Sequence, residues 1–324
     1  MSLKNFPEKS LNQLKMNTPG EIDVIGLGQA CFDCLGTVPC YPPEDSKIEM
    51  DEVYFQVGGP VAVALITLSQ LGVSSSFIGS ISDDYFGVEI LKGLKNEDID
   101  TSFLKITSGF SSQFAFISIN NKQGNRNIYW RRSTAPFIKP DEVDLKPLRN
   151  AKVLHLDGLM IESSIEAAKQ AKEMGIKVVI DAGTMREGFL KLLPFADYLI
   201  TSEKFARSVV NKDDYTHRRA LEILKKHTTG DIVITLGSEG SIGLINDSVI
   251  FQKAYPIDAV NTNGAGDVYH GAYIFGIIKG WNGKECMGFA SAASAIKCEH
   301  IEYRKDLLSV KKVKIFMDKY AHIL

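Results

Sequence analysis

A chain of 324 residues with 44% hydrophobic and 23% charged residues is long enough for a substantial core and has the balance of an ordinary soluble globular protein. Its formal net charge of −2 gives no support to nucleic-acid or anionic-membrane binding, and no apolar run approaches the length of a membrane span. The five cysteines, Cys31, Cys34, Cys40, Cys286 and Cys298, are an odd number that fits reduced cytoplasmic thiols better than a disulfide framework, so a cytoplasmic protein is expected.

Residues 1–20 are polar, aperiodic and without a signal-peptide core, and read as a loose tail ahead of a single domain over 21–324. Ile22-Asp-Val-Ile-Gly-Leu-Gly28 reads as a buried strand. Gly26-x-Gly28-x-x-Cys31 nearly spells a dinucleotide fingerprint, with Glu49 and Asp51 near the distance of a ribose-binding acid. The third glycine is missing, however, and Cys34-Leu-Gly-Thr-Val-Pro39 reads as extended chain, which argues against NAD. Cys31-Phe-Asp-Cys34 has no second pair or nearby histidine, which argues against a zinc site.

Glu52–Val57, Gln113–Ile119 and Asn127–Trp130 alternate in polarity, the last two flanking a turn at Asn121-Lys-Gln-Gly124. They predict a small β-sheet lid from about 35–57 and 111–132; edge hairpins of a main sheet are the alternative. Between them, Gly58-Gly59-Pro60 opens an apolar helix ending at Gly72. Ser76–Ile81 follows as a strand and Asp83–Leu94 as an amphipathic helix.

From Val153 onward strands and helices alternate: Val153–Leu156, a helix over Ser163–Met174, Val178–Ile180, Tyr198–Ile200, a helix from Ser202, and Ile232–Leu236. This predicts a parallel sheet with helices on both faces, whose ligands lie beyond the carboxyl ends of the strands. Asp33, Asp157, Asp181 and Asp267 all fall just after strands and could converge on one cleft. His155 alternates with core residues and reads as a core histidine rather than a base. No Walker A motif is present, since Gly283-Lys-Glu lacks the upstream glycine and the hydroxyl.

The stretch that carries the chemistry is Asn261-Thr-Asn-Gly-Ala-Gly-Asp267, which runs from an extended approach into a helix. Such a turn gathers unpaired backbone N–H groups at the positive end of a helix dipole, an anion cradle made by Gly264, Ala265 and Gly266. Asp267 at its rim could take a proton from a hydroxyl attacking the group in the cradle, with its pKa depressed by the helix terminus. The plainer alternative is an aspartate that caps its helix.

These residues closely resemble the Asp-Thr-x-Gly-Ala-Gly-Asp signature of the ribokinase, or PfkB-type, carbohydrate kinases, with Asn261 in place of the first Asp. The resemblance extends over about residues 22–315. It implies a three-layer α/β/α sandwich with a mostly parallel central sheet and a small β-sheet lid, and ATP-dependent phosphorylation of a sugar hydroxyl. Asp33, Gly58, Gly59 and Asp157 match sugar-contacting positions, with Cys31 and Val63 where the family often has Asn. Arg186 would reach a substrate or nucleotide phosphate, or pair with a neighbouring acid. Thr235-Leu-Gly237-Ser-Glu-Gly240 resembles the nucleotide loop, and Ser291 falls on the adenine-side helix Gly288–Cys298. Ser202 and Phe205 replace the Asn and Glu tied to magnesium, leaving Glu203 as the substitute in an indirect contact to Mg2+ carried by ATP. A monovalent cation would fall to Asn261 and Asn263. The substitution at Asn261 and the glycine-free loop Glu299-His-Ile-Glu-Tyr-Arg304 both argue against one. The family's lid suggests a homodimer. Arg126, Arg131, Arg132 and Arg186 keep an anionic acceptor open, so a nucleoside, keto-deoxy sugar acid or sugar phosphate kinase is the alternative, as is a catalytically weak sugar-binding homologue.

Overall fold

The computed structural model describes residues 21–122, 125–210 and 212–321. The expected N-terminal tail and the Gln123-Gly124 half of the lid turn lie outside the described residues. The chain opens with β1 (Val24–Leu27), β2 (Cys31–Val38), β3 (Glu52–Gly58), α1 (Pro60–Gln70), β4 (Ser75–Ser82), α2 (Tyr85–Asn96) and β5 (Leu104–Thr107). Then come β6 (Phe114–Asn120), β7 (Arg126–Arg131), β8 (Val153–Leu156), α3 (Ile161–Glu173), β9 (Lys177–Ala182), β10 (Tyr198–Ser202) and α4 (Glu203–Ser208). The C-terminal part holds α5 (His217–Leu224), β11 (Asp231–Thr235), β12 (Gly240–Ile245), β13 (Ser248–Lys253), α6 (Ala265–Ile278), α7 (Gly283–Cys298) and α8 (Val310–Tyr320).

A nine-stranded sheet runs in the order β13-β12-β11-β10-β9-β8-β1-β4-β5. Neighbours from β11 to β5 are parallel. The central strands read as continuous apolar runs, because a parallel sheet is covered on both faces; Val24, Ile25 and Leu27 of β1 are fully buried. One core packs α1, α6 and α7 against one face, and a second packs α3, α4 and α5 against the other. The three-layer arrangement expected from the alternation is therefore present.

Helices α1 and α6 approach closely because of one glycine: a Cβ on Gly271 would stand 2.5 Å from the carbonyl oxygen of Ala64. That contact fixes the N-terminus of α6, and with it Asp267, against the start of α1. The antiparallel β12–β13 edge, the short β5 and α8 were not foreseen. Antiparallel edge hairpins and short strands leave no long periodic signature in a sequence.

The lid is a separate four-stranded sheet in the order β3-β2-β6-β7, which excludes edge hairpins of the main sheet. It begins earlier than expected, at Cys31, since β2 pairs antiparallel with β3 and parallel with β6. Along β2 successive side chains alternate faces, so Cys31 and Cys34, three apart, point to opposite sides and cannot form a Cys-x-x-Cys pair. Among the described residues no cluster of His, Cys, Asp or Glu could hold a metal ion, and no helix is long and apolar enough to cross a membrane.

Candidate active site

A cavity of about 250 Å³ lies between the lid and the C-terminal ends of the central strands. Its walls come from the lid strands, from Gln29 just after β1, from the start of α1 and from the amide cradle. Asp33, Gly58 and Gly59 line one side, and Asn263, Gly264 and Asp267 line another.

Asp33 sits on β2 and is therefore presented by the lid. Burial pushes its carboxyl up to about 6, opposed by a contact with the Cys31 thiol, whose own pKa burial drives upward. Gly58 is required beside it, because a Cβ there would come within 2.1 Å of Asp33 Oδ2. Gly59 has φ 98°, and a Cβ on it would meet the Gln29 carbonyl oxygen at 2.6 Å. These two glycines bring bare backbone to the cavity wall.

Gly264 adopts φ 75° as the N-cap of α6, and the helix starts at Ala265, two residues before the expected Asp267. In the first helical turn the N–H groups of Gly266 and Asp267 have no carbonyl within the helix to bond. A Cβ on Gly266 would meet nothing within 4 Å, so packing does not require glycine there. Ser294 of α7 donates to the Ala265 carbonyl at 2.7 Å and ties the cradle down.

Asp267 does not behave as its helix terminus predicts. Its pKa is raised to about 7, chiefly because the surrounding protein strips water from the carboxylate, with Asp181, Asp33 and Asp157 adding repulsion. His270, one helical turn on, opposes the rise. Desolvation and neighbouring carboxylates here outweigh the helix dipole.

The other converging acids stand behind the cavity rather than on its wall. Asp157 accepts from the Gln29 N–H at 2.7 Å through Oδ2 and from the Leu159 N–H at 2.9 Å through Oδ1. Burial pushes it up to about 6. Asp181 lies 3.3 Å from His270 Nε2, and against the effect of burial that histidine holds it below the usual carboxylate range. Arg186 donates to the Asp157 carbonyl at 3.3 Å and lines no part of the cavity. His155 is buried beside His270, and burial pushes its pKa down to about 3, so it stays neutral in the core.

Ser202 and Thr235 are register partners at the carboxyl ends of β10 and β11. Ser202 Oγ accepts from the Phe205 N–H at 3.1 Å and donates to the Gly183 carbonyl at 2.8 Å, while Phe205 is buried in the core. Gly237 has φ 60° and Gly240 φ 109°, and a Cβ on Gly240 would stand 2.0 Å from the Gln252 carbonyl oxygen. Ser291 is buried on α7. Glu203, expected near magnesium, is engaged by Arg207 at 2.7 Å and His217 at 3.1 Å.

Sequence reasoning missed the lid-side amides of Gln56 and Gln113 and the ammonium of Lys297, all on the cavity wall. Lys297 had a signal: it follows Ala290 and Ala293 on one buried stripe of α7, where a charge is out of place without a purpose.

In sequence the chain is similar to the 5-dehydro-2-deoxygluconokinase of Bacillus licheniformis, at 26% identity over 299 residues, 86% of this chain and 91% of that one. In fold it is similar to a candidate ribokinase from Agrobacterium tumefaciens, with TM-score 0.87 and 24% identity, covering 94% of this chain and 100% of the other. The ribokinase of Arabidopsis thaliana complexed with ribose and ATP superposes with TM-score 0.77 and 21% identity, covering 92% and 99%. Residues 22–308 match the family model described as pfkB family carbohydrate kinase, and the chain belongs to that family.

Proposed function

We propose that this kinase transfers the γ-phosphoryl group of ATP to a hydroxyl of a small sugar held in the cavity under the lid. Asp33 and the backbone at Gly58 and Gly59 hold the sugar. The attacking hydroxyl oxygen forms its bond to the γ-phosphorus as the bond to ADP breaks, and its proton passes to Asp267. The Gly264 and Gly266 amides face the charge on the transferring group, whereas the Ala265 N–H is already given to the Thr262 carbonyl at 3.3 Å. A loose transition state needs little early deprotonation, so positioning and charge stabilisation supply most of the rate. The observation that carries this reading is that Asp267 and Gly264 share one cavity of about 250 Å³ with Asp33 and Gly58.

ATP would lie along the strand ends at Ser202, Thr235, Gly237 and Gly240, with Ser291 on its adenine side. Mg2+ would arrive on the ATP phosphates, since Glu203 is already paired and Mg2+ commonly keeps waters and phosphate ligands. Asp157 and Arg186 would act from behind the site, bracing the loops that carry it. Residues 21–324 work as one domain in this reading, in the cytoplasm, and the exposed lid side chains Phe55, Tyr129 and Trp130 offer a face for a second copy of the chain.

A second reading takes a keto-deoxy sugar acid as acceptor. It is favoured by the names of relatives from Bacillus licheniformis and Clostridium perfringens, both 5-dehydro-2-deoxygluconokinases at 26% and 24% identity. ADP release measured across sugars, sugar acids, nucleosides and sugar phosphates, with Asp267→Asn as control, tests both. Turnover confined to sugar acids selects the second reading. Specific sugar binding without turnover on any acceptor would make the chain a binding homologue.

A further inference from the structure

The loop leading into the cradle is held by donors that belong to the chain itself. Lys297, 1% exposed on the last turn of α7, donates from Nζ to the main-chain carbonyl of Asn261 at 2.9 Å. Asn261 is equally buried, at 1%. Its Nδ2 donates to the Ile301 carbonyl at 2.6 Å, and its Oδ1 accepts from the Asn263 N–H at 2.9 Å. The loop that holds Ile301 and the segment before the cradle are thus joined through one asparagine and one lysine.

This arrangement does not fit the monovalent cation that the family resemblance suggests at Asn261 and Asn263. A cation of that kind needs free oxygen ligands, and here the carbonyls of Asn261 and Ile301 already receive N–H donors. A second positive charge would also sit beside a buried ammonium, where low dielectric makes repulsion strong. Asn261 suits this role where Asp would not. A carboxylate has no hydrogen to give Ile301 and would place two acceptors against each other. The Lys297 ammonium supplies a single positive charge with three donors on a flexible stem. Burial lowers its pKa to about 8, which leaves it largely charged at neutral pH.

We propose that Lys297 is a tethered monovalent cation: its ammonium fixes the Asn261–Asn263 segment, and so the amide cradle and Asp267, and frees the enzyme from any need for added K+ or NH4+. Lys297 is a positioning residue in this scheme. The inference rests on the cradle being part of the phosphoryl-transfer site.

The test compares wild type, Lys297→Ala and Lys297→Met in choline chloride at constant ionic strength, with KCl or NH4Cl substituted stepwise. ATP turnover and thermal melting are both followed. Wild type should show the same rate and melting temperature in all three salts. Lys297→Ala should lose roughly 10- to 100-fold in turnover through misplacement of the cradle. NH4+ or K+ should restore part of that loss and raise its melting temperature, whereas choline should do neither. Lys297→Met, which fills the space without the charge, should be impaired and not rescued.

Activation of the wild-type enzyme by K+ or NH4+ would overturn the proposal, and that arm stands even if the variants fail to fold. So would a Lys297→Ala variant whose rate and melting ignore both ions. A rise in acceptor KM alone would make Lys297 a substrate contact instead. Were no acceptor turned over at all, the melting arm would still decide about Lys297, which separates its failure from failure of the kinase reading.

Discussion

Gly58 and Asp33 stand so close across the lid that a Cβ on the glycine would lie 2.1 Å from Oδ2 of the aspartate. The carboxylate occupies the space that any other residue would fill, and its neighbours leave it little room to turn, since Asp33 is only 6% exposed. Gly58→Ala is expected to push Asp33 off the cavity wall. Acceptor KM should rise roughly 10- to 100-fold with ATP KM unchanged, and overpacking should cost about 1–3 kcal/mol of stability. Steady-state kinetics with each substrate varied in turn, plus urea denaturation, would check both. Unchanged acceptor KM would remove Asp33 from the sugar site.

Asp267→Asn keeps the shape of the side chain and removes the base. Turnover should fall roughly 10²–10⁴-fold, while circular dichroism stays that of the folded protein. Near-normal turnover would leave Asp267 as no more than a residue of the first helical turn.

The raised pKa of Asp267 makes two linked statements about pH. A base must be ionised to act, so kcat/KM should decline as pH drops below about 7. The same group binds a proton more tightly in the folded than in the unfolded state. Its contribution to stability is therefore fully present below the ordinary carboxylate pKa and is lost as pH rises through about 7. Asp267→Asn should consequently melt at a higher temperature than wild type at pH 8, with the gap closing toward pH 4. A variant less stable than wild type at pH 8 would contradict this.

Arg126 of β7 donates from Nη1 to Thr262 Oγ1, linking the lid to the segment just before the cradle. The arginine is exposed, so its loss should change stability by no more than about 0.5 kcal/mol. Arg126→Ala should nevertheless lower kcat/KM for the acceptor, because the lid then closes over the cavity without its tie. Equal kcat/KM in wild type and variant would show that the contact plays no part in closure.

Periodicity predicts the layered sheet and the lid strands, and the glycine-rich turn predicts the cradle; that the lid is a sheet of its own rather than edge hairpins was decided by the fold. Strands buried on both faces are apolar throughout, half-buried lid strands alternate, and the glycines of Gly264-Ala-Gly-Asp267 permit a sharp turn into a helix. Those are local demands, written where they act. What the tertiary structure decided is where long or charged side chains end up. Asp33 rides on the lid, whereas Asp157 turns inward to the N–H groups of Gln29 and Leu159. Arg186 meets a backbone carbonyl instead of the cavity. The acidity of Asp267 reverses its expected direction, chiefly because the folded protein strips water from its carboxylate, with Asp181, Asp33 and Asp157 adding repulsion. Lys297 meets Asn261, 36 positions away in the chain. A pattern of burial can tell that such a lysine is inside; only the folded neighbourhood supplies the carbonyl it was placed to hold.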